Sequence, residues 1–166
     1  MSPEVSRTQF TCELITIRTK KSFEDVTSAL EGLFATVDLP RLADMTAAAD
    51  QAGIQSYFEE ISGEHEFSVF FQLDQGSTQR LAGYPINCRF YLIGNAVIAN
   101  GLFEYGAVAG LGAPVRVCVS QDDGEDVRID VDQPTAFFSQ FPEFEESKVP
   151  AILDEDLIDH LVAFAS

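Results

Sequence analysis

The sequence predicts an α+β fold in which helices cover one face of an antiparallel β-sheet. Three observations carry this expectation. Several short segments alternate apolar and polar residues with a period of two, as half-buried strands do. Two longer segments repeat apolar residues at helical spacing and need a common apolar surface to pack on. Their order is strand, helix, helical insertion, two strands, short helix, two strands, helix, which is not the strand–helix alternation of a parallel sheet.

The elements follow in chain order. Thr11 to Arg18 reads as a strand, with Leu14, Ile15 and Ile17 among β-branched neighbours. Ser22 then caps a helix, with Asp25 three residues on, and Phe23, Val26, Ala29, Leu30, Leu33 and Phe34 form its apolar face as far as Thr36. Residues 38–63 read as a helical insertion, helical over Arg41 to Gln51 and again over Ile54 to Ile61. It is too short to bury a core of its own, so residues 1–166 are expected to form one domain.

The next strand places Phe67, Val69, Phe71 and Leu73 on one face. Ile86 to Ile93 follows, with Ile86, Cys88, Phe90 and Leu92 assigned to the apolar face. Gly94-Asn95 ends it, and a short helix runs from Ala96 to Tyr105. Gly106 to Gly112 is a connector. Pro114 to Ser120 and Asp126 to Asp132 make a hairpin around Asp122-Asp-Gly-Glu125. A last helix spans Val149 to Phe164, burying Leu153, Leu157, Leu161 and Phe164 and placing Asp154, Glu155 and Asp156 early, where the helix dipole favours acids.

Charge excludes several functions. Ten basic residues face 27 acidic ones, a net charge of −17, and residues 121–166 hold 13 acids against Arg128 and Lys148. Such a surface repels nucleic acid and anionic membrane, whose binding needs Lys and Arg. Cys12, Cys88 and Cys118 sit in apolar, strand-like runs and read as buried, inert thiols suited to a reducing compartment. No stretch approaches the roughly 20 apolar residues of a membrane span, and Met1-Ser-Pro-Glu4 lacks the pattern of a signal peptide. The expected location is the cytoplasm.

Tyr91-Leu-Ile-Gly-Asn-Ala-Val-Ile-Ala99, Gly110-Leu-Gly-Ala-Pro-Val-Arg116, Asp122-Asp-Gly124, the Pro134 to Phe141 run and Phe70-Phe-Gln-Leu-Asp74 follow one another in an order that resembles the domain of unknown function 302 family. The resemblance covers nearly the whole chain and implies a fold like that of the TATA-binding protein. It implies no function. The chain departs from the family pattern at Ala96, where Pro is usual, at Gln75, where many members have His, and at Glu104-Tyr105, where many have Arg-His.

With two histidines, His65 and His160, far apart and no Cys–His spacing, a zinc site or a Ser–His–Asp triad is not expected, and neither metal nor cofactor is assigned. His160 reads as a surface residue near a helix end. The second face of the sheet is expected to carry Glu66, Ser68, Phe70, Gln72, Arg89, Tyr91, Arg116, Cys118, Arg128 and Asp130. That face is either solvated and self-associating or a shallow ligand site. Phe70, Tyr91 and the paired charges suit a homodimer contact. An anion-binding spot is expected where Asn95 and Ala96 open the short helix beside Arg116, with Arg89 and Tyr91 as further ligand contacts. The expected function is a small-molecule-binding or scaffold domain for a small anionic or aromatic molecule. The alternative is a cofactor-independent lyase, isomerase or hydrolase, with Glu66, Tyr91, Glu104 or Tyr105 as acid–base groups and an arginine as electrostatic stabiliser.

Overall fold

In the computed structural model, which describes residues 3–62 and 67–166, five strands pair antiparallel in the order β1-β5-β4-β3-β2. They are β1 (Leu14–Thr19), β2 (Ser68–Asp74), β3 (Asn87–Gly94), β4 (Val115–Gln121) and β5 (Val127–Asp132). Helices α1 (Phe23–Leu33) and α7 (Val149–Ala165) lie on one face. The α+β architecture with one helix-covered sheet face is therefore the one the alternation and the two apolar helices predict.

Each long helix is locally encoded. The Ser22 hydroxyl accepts from the Asp25 backbone N–H at 3.0 Å, and α1 buries Phe23, Val26, Thr27 and Leu30. The helix stops at Leu33, short of Thr36, because residues 35–37 leave it to run beside β2, where a bridge joins Thr36 to Val69. Helix α7 buries Leu153, Leu157, Leu161 and Phe164, as its spacing predicts. Fully burying each such side chain is worth about 1.5–3 kcal/mol. Asp154, Glu155 and Asp156 lie beyond the first turn of α7. Asp154 instead accepts a hydrogen bond from the Thr135 backbone N–H at 3.2 Å and another from the Thr135 hydroxyl. That residue belongs to a short helix, α6 (Pro134–Phe138), absent from the sequence reading.

The insertion forms α2 (Leu39–Ala47) and α3 (Gln51–Ser62). Its own cluster, Val37, Tyr57 and Phe58, borrows Phe70 from β2 and Ala96 from the following short helix, so the insertion does not bury a core alone. Residues 35–37 pair with Val69 and so cover part of the β2 edge, which would otherwise present open hydrogen-bonding groups. A second unforeseen helix, α4 (Gln75–Leu81), starts directly at the end of β2, with the Asp74 carboxylate accepting from the Ser77 N–H at 2.8 Å and the Ser77 hydroxyl at 2.6 Å. Asp74 titrates below the usual carboxylate range because of those bonds. Helix α5 (Ala96–Phe103) is two residues shorter than the expected Ala96–Tyr105, and the connector after it contains a 3₁₀ turn at Ala107–Leu111.

Two strands do not face as predicted. Along β2 the register slips between Val69 and Phe71, so Val69 stands opposite Ile93 but Phe71 stands opposite Leu92. Phe70 is the extra residue of a bulge, and a one-residue slip exchanges the faces of everything beyond it. Phe67 and Val69 are buried, while Phe71 and Leu73 are 45% and 47% exposed on the open face. Strand β3 is reversed along its length. Tyr91 and Ile93 are buried among the helices, and Cys88, Phe90 and Leu92 lie on the open face with Arg116, Cys118 and Ser120 of β4. Both faces of β3 are apolar enough to fit either assignment, so alternation alone does not decide between them.

His160 is half-buried rather than fully on the surface. Its ring packs 5.5 Å from Phe34 and 5.7 Å from Phe67, and its Nδ1 lies 2.7 Å from the Asp156 carbonyl. The cysteines also differ from expectation. Cys12 is exposed ahead of β1, and Cys88 and Cys118 are partly exposed.

Candidate functional site

A pocket of about 270 Å³ opens where three segments meet: the end of β3, the first turns of α5, and the approach to β4. Gly94 closes β3 so tightly that a Cβ there would lie 3.3 Å from the Pro114 Cβ and 3.5 Å from the Phe70 ring. Asn95 is buried, and its Oδ1 accepts from the Ile98 backbone N–H at 2.8 Å, which satisfies one of the unpaired donors that begin α5. Phe70, held in a stack 5.9 Å from Phe58, forms one wall. Ala96, Ala99, Asn100 and Phe103 of α5 and the cis-linked Ala113–Pro114 form the rest.

The chemistry of this pocket is apolar contact with a polar fringe. Phe70 and Phe103 offer aromatic surface, the alanines make room, and Asn100 offers an amide that can donate and accept. None of the described lining side chains is an acid, a base, a thiol or a phenol.

Of the residues expected to bind a ligand, Asn95 and Ala96 line this pocket. Arg116 does not. It stands on the open sheet face, its guanidinium 2.5 Å from the Asp132 carboxylate, and borders other, shallower depressions. Arg128 is paired in the same way with Asp130, at 2.7 and 2.6 Å. Burial raises the Asp130 carboxyl, but the hydrogen bonds from Arg128 and from Thr16 outweigh it and hold the group below the usual range.

Arg89 and Tyr91 lie on the helix-covered side, not on the open face. Their common partner is Glu31 of α1, which the sequence reading did not single out. One Glu31 oxygen accepts from Arg89 at 2.6 Å and from the Tyr91 hydroxyl at 2.7 Å, and Arg89 is 3.8 Å from Asp74. Burial, and then the Glu31 carboxylate, pushes the Tyr91 phenol well above its ordinary value. This group ties α1 to the sheet.

Of the remaining catalytic candidates, Glu104 and Tyr105 lie apart from the pocket. Glu104 is exposed at the end of α5. Tyr105 packs against the core, 5.9 Å from Phe144. Glu66, like His65, lies outside the described residues. Ala99, Asn100, Phe103 and Ala113 were missed by sequence reasoning, and Phe70 was expected on the open sheet face rather than in this pocket. The available signal was Gly94-Asn95 with Pro114, a pair of tight backbone positions that the fold brings together. Among the described residues, no group of three or more His, Cys, Asp and Glu is placed to hold a metal, and no helix is long and apolar enough to cross a membrane.

A family model described as a domain of unknown function, DUF302, matches residues 45–161. Among solved structures, the chain is similar to the crystal structure of an uncharacterized conserved DUF302 protein from Bacillus stearothermophilus, with a TM-score of 0.64 and 13% identity over 92% of this chain and 98% of that one. At that identity the likeness shows the fold alone. No curated protein matches.

Proposed function

The chain belongs to the DUF302 family, and from that premise we propose that it is a small-molecule-binding domain that works without a cofactor, its ligand a compact aromatic molecule held between α5, Phe70 and Pro114. The observation that carries this reading is the pocket itself. The Gly94-Asn95 and Pro114 motifs, by which the chain resembles its family, lie far apart in sequence and line one cavity. Two aromatic walls and one free amide edge match a flat apolar body with a single hydrogen-bonding end.

Binding is favoured over catalysis by the lining. Acid–base chemistry needs a titrating group within hydrogen-bond reach of the substrate, and the described walls offer none. The pocket is small beside the roughly 300–1,000 Å³ of drug-sized sites. A ligand with about nine non-hydrogen atoms, bound at roughly 0.45 kcal/mol per atom, would have a dissociation constant near 1 mM. A working place in the cytoplasm accords with three free cysteines.

Saturation-transfer NMR with benzamide and benzoate tests the reading. Benzamide is expected to receive saturation at millimolar concentration and benzoate less, because the walls carry no cation. Ala99→Phe, which fills the cavity, should abolish the transfer. Equal transfer in that folded variant, or none from the native protein, would remove the proposal.

A further inference from the structure

On the open sheet face, two thiols from different strands meet. The Cys88 sulfur lies 3.7 Å from the Cys118 sulfur and 3.4 Å from the Gln75 side-chain oxygen at the start of α4. Cys88 stands opposite Ser120, and Cys118 opposite Phe90, so the two cysteines are diagonal neighbours. Diagonal pairs have Cα atoms about 7–8 Å apart, beyond the roughly 6.8 Å that a disulfide spans without backbone movement. Direct S–S bonding is therefore a poor use of this pair, whereas bridging by an ion suits it.

We propose that Cys88, Cys118 and the Gln75 oxygen form a chelating site for a thiophilic divalent cation of the zinc and cadmium kind, with solvent as the fourth donor. The distances fit that chemistry. Two sulfurs bound at about 2.3 Å to a tetrahedral ion lie about 3.8 Å apart, and a sulfur and an oxygen bound at about 2.3 and 2.1 Å lie about 3.6 Å apart. The observed 3.7 and 3.4 Å need only small side-chain adjustments. Both thiols are partly exposed. Cys88 and Gln75 border a surface depression of about 440 Å³, which gives an ion a route in. Two thiolates neutralise a divalent charge, and the chain's net charge of −17 draws cations towards the protein.

Around the pair, Asp130 and Arg128 compensate each other, so neither competes for the ion. Burial, and then the adjacent Cys88, pushes the Cys118 thiol up to about 12, so binding an ion expels the Cys118 proton. The site escaped sequence reasoning because the two cysteines are 30 residues apart and no CxxC spacing announces them.

The test uses the Cys12→Ser protein, so that the exposed thiol does not contribute. Calorimetric titration with Cd²⁺ under a non-thiol reductant should show one ion per chain. Cys88→Ser and Cys118→Ser should each weaken binding by more than the roughly 10–100-fold that loss of an outer-shell partner costs. Gln75→His, which supplies a stronger third donor, should tighten it, with circular dichroism confirming that each variant is folded. Affinity unchanged in either serine variant, no uptake by the Cys12→Ser protein, or Gln75→His weakening the site would overturn the assignment.

Discussion

Replacing Tyr91 by Phe isolates what the Glu31 group contributes to stability. The ring is fully buried, and Phe retains it, so the transfer of apolar surface is unchanged. What is lost is one O–H bond donated to a carboxylate oxygen at 2.7 Å. Hydrogen bonds to charged groups contribute about 1.5–3 kcal/mol. Here the lower end applies, because the Glu31 side chain is 32% exposed and keeps Arg89 at 2.6 Å, so water and the guanidinium take over the orphaned lone pair. We expect a loss of about 1.5 kcal/mol, equivalent to a melting point lower by roughly 3–6 °C for a chain of this size. Urea unfolding at pH 7 reads it directly: the midpoint should fall with the slope unchanged. In a double-mutant cycle with Glu31→Ala, which removes the acceptor, most of the Tyr91→Phe effect should disappear, since the two groups share one bond. A loss under about 0.5 kcal/mol, or full additivity with Glu31→Ala, would refute the view that this hydrogen bond anchors α1 to the sheet.

Two further outcomes follow from the same structure. A Cβ on Gly112 would overlap the Phe137 ring and lie 2.8 Å from the buried Phe138 ring, so Gly112→Ala should cost about 1–3 kcal/mol by overpacking; Gly32→Ala, in the open on α1, should instead stabilise by about 0.5–1 kcal/mol, and equal effects in thermal melts would contradict both. The Tyr91 phenol and the Cys118 thiol are both raised by burial. The folded state therefore keeps protons that the unfolded chain releases at about pH 8.5–10, and their contribution to stability is complete below that range and declines as pH rises towards the folded values, about 12 for Cys118. Urea midpoints measured from pH 7 to 11 should fall on the alkaline side, less steeply in Cys118→Ser.

The pocket and the dithiol show why sites are harder to read than elements. Asn95 was legible as a cap because its role is local: a side chain and a backbone N–H three residues on. Its neighbours across the cavity, Phe70 and Pro114, come from segments more than fifteen residues away on either side, and nothing in their local pattern marks them as a wall. Arg116 reads from sequence either as an anion-binding cation or as the partner of a nearby acid, and strand pairing sets it against Asp132, whose position depends on hairpin register. Arg89 and Tyr91 read as ligand contacts from their residue types, yet their partner Glu31 sits on a helix 58 and 60 residues earlier.

By itself, the sequence determined the α+β class, the β4–β5 hairpin, the Ser22 cap and the buried stripe of α7, because each is written in periodicity or in a contact a few residues long. Tertiary structure decided which face of β2 and β3 is buried. The single extra residue at Phe70 exchanges the faces of the strand beyond it, and β3 offers apolar side chains both ways. The choice therefore falls to long-range packing: Tyr91 and Ile93 fit beneath the helices, while Cys88, Phe90 and Leu92 are left on the open face, where Cys88 meets Cys118.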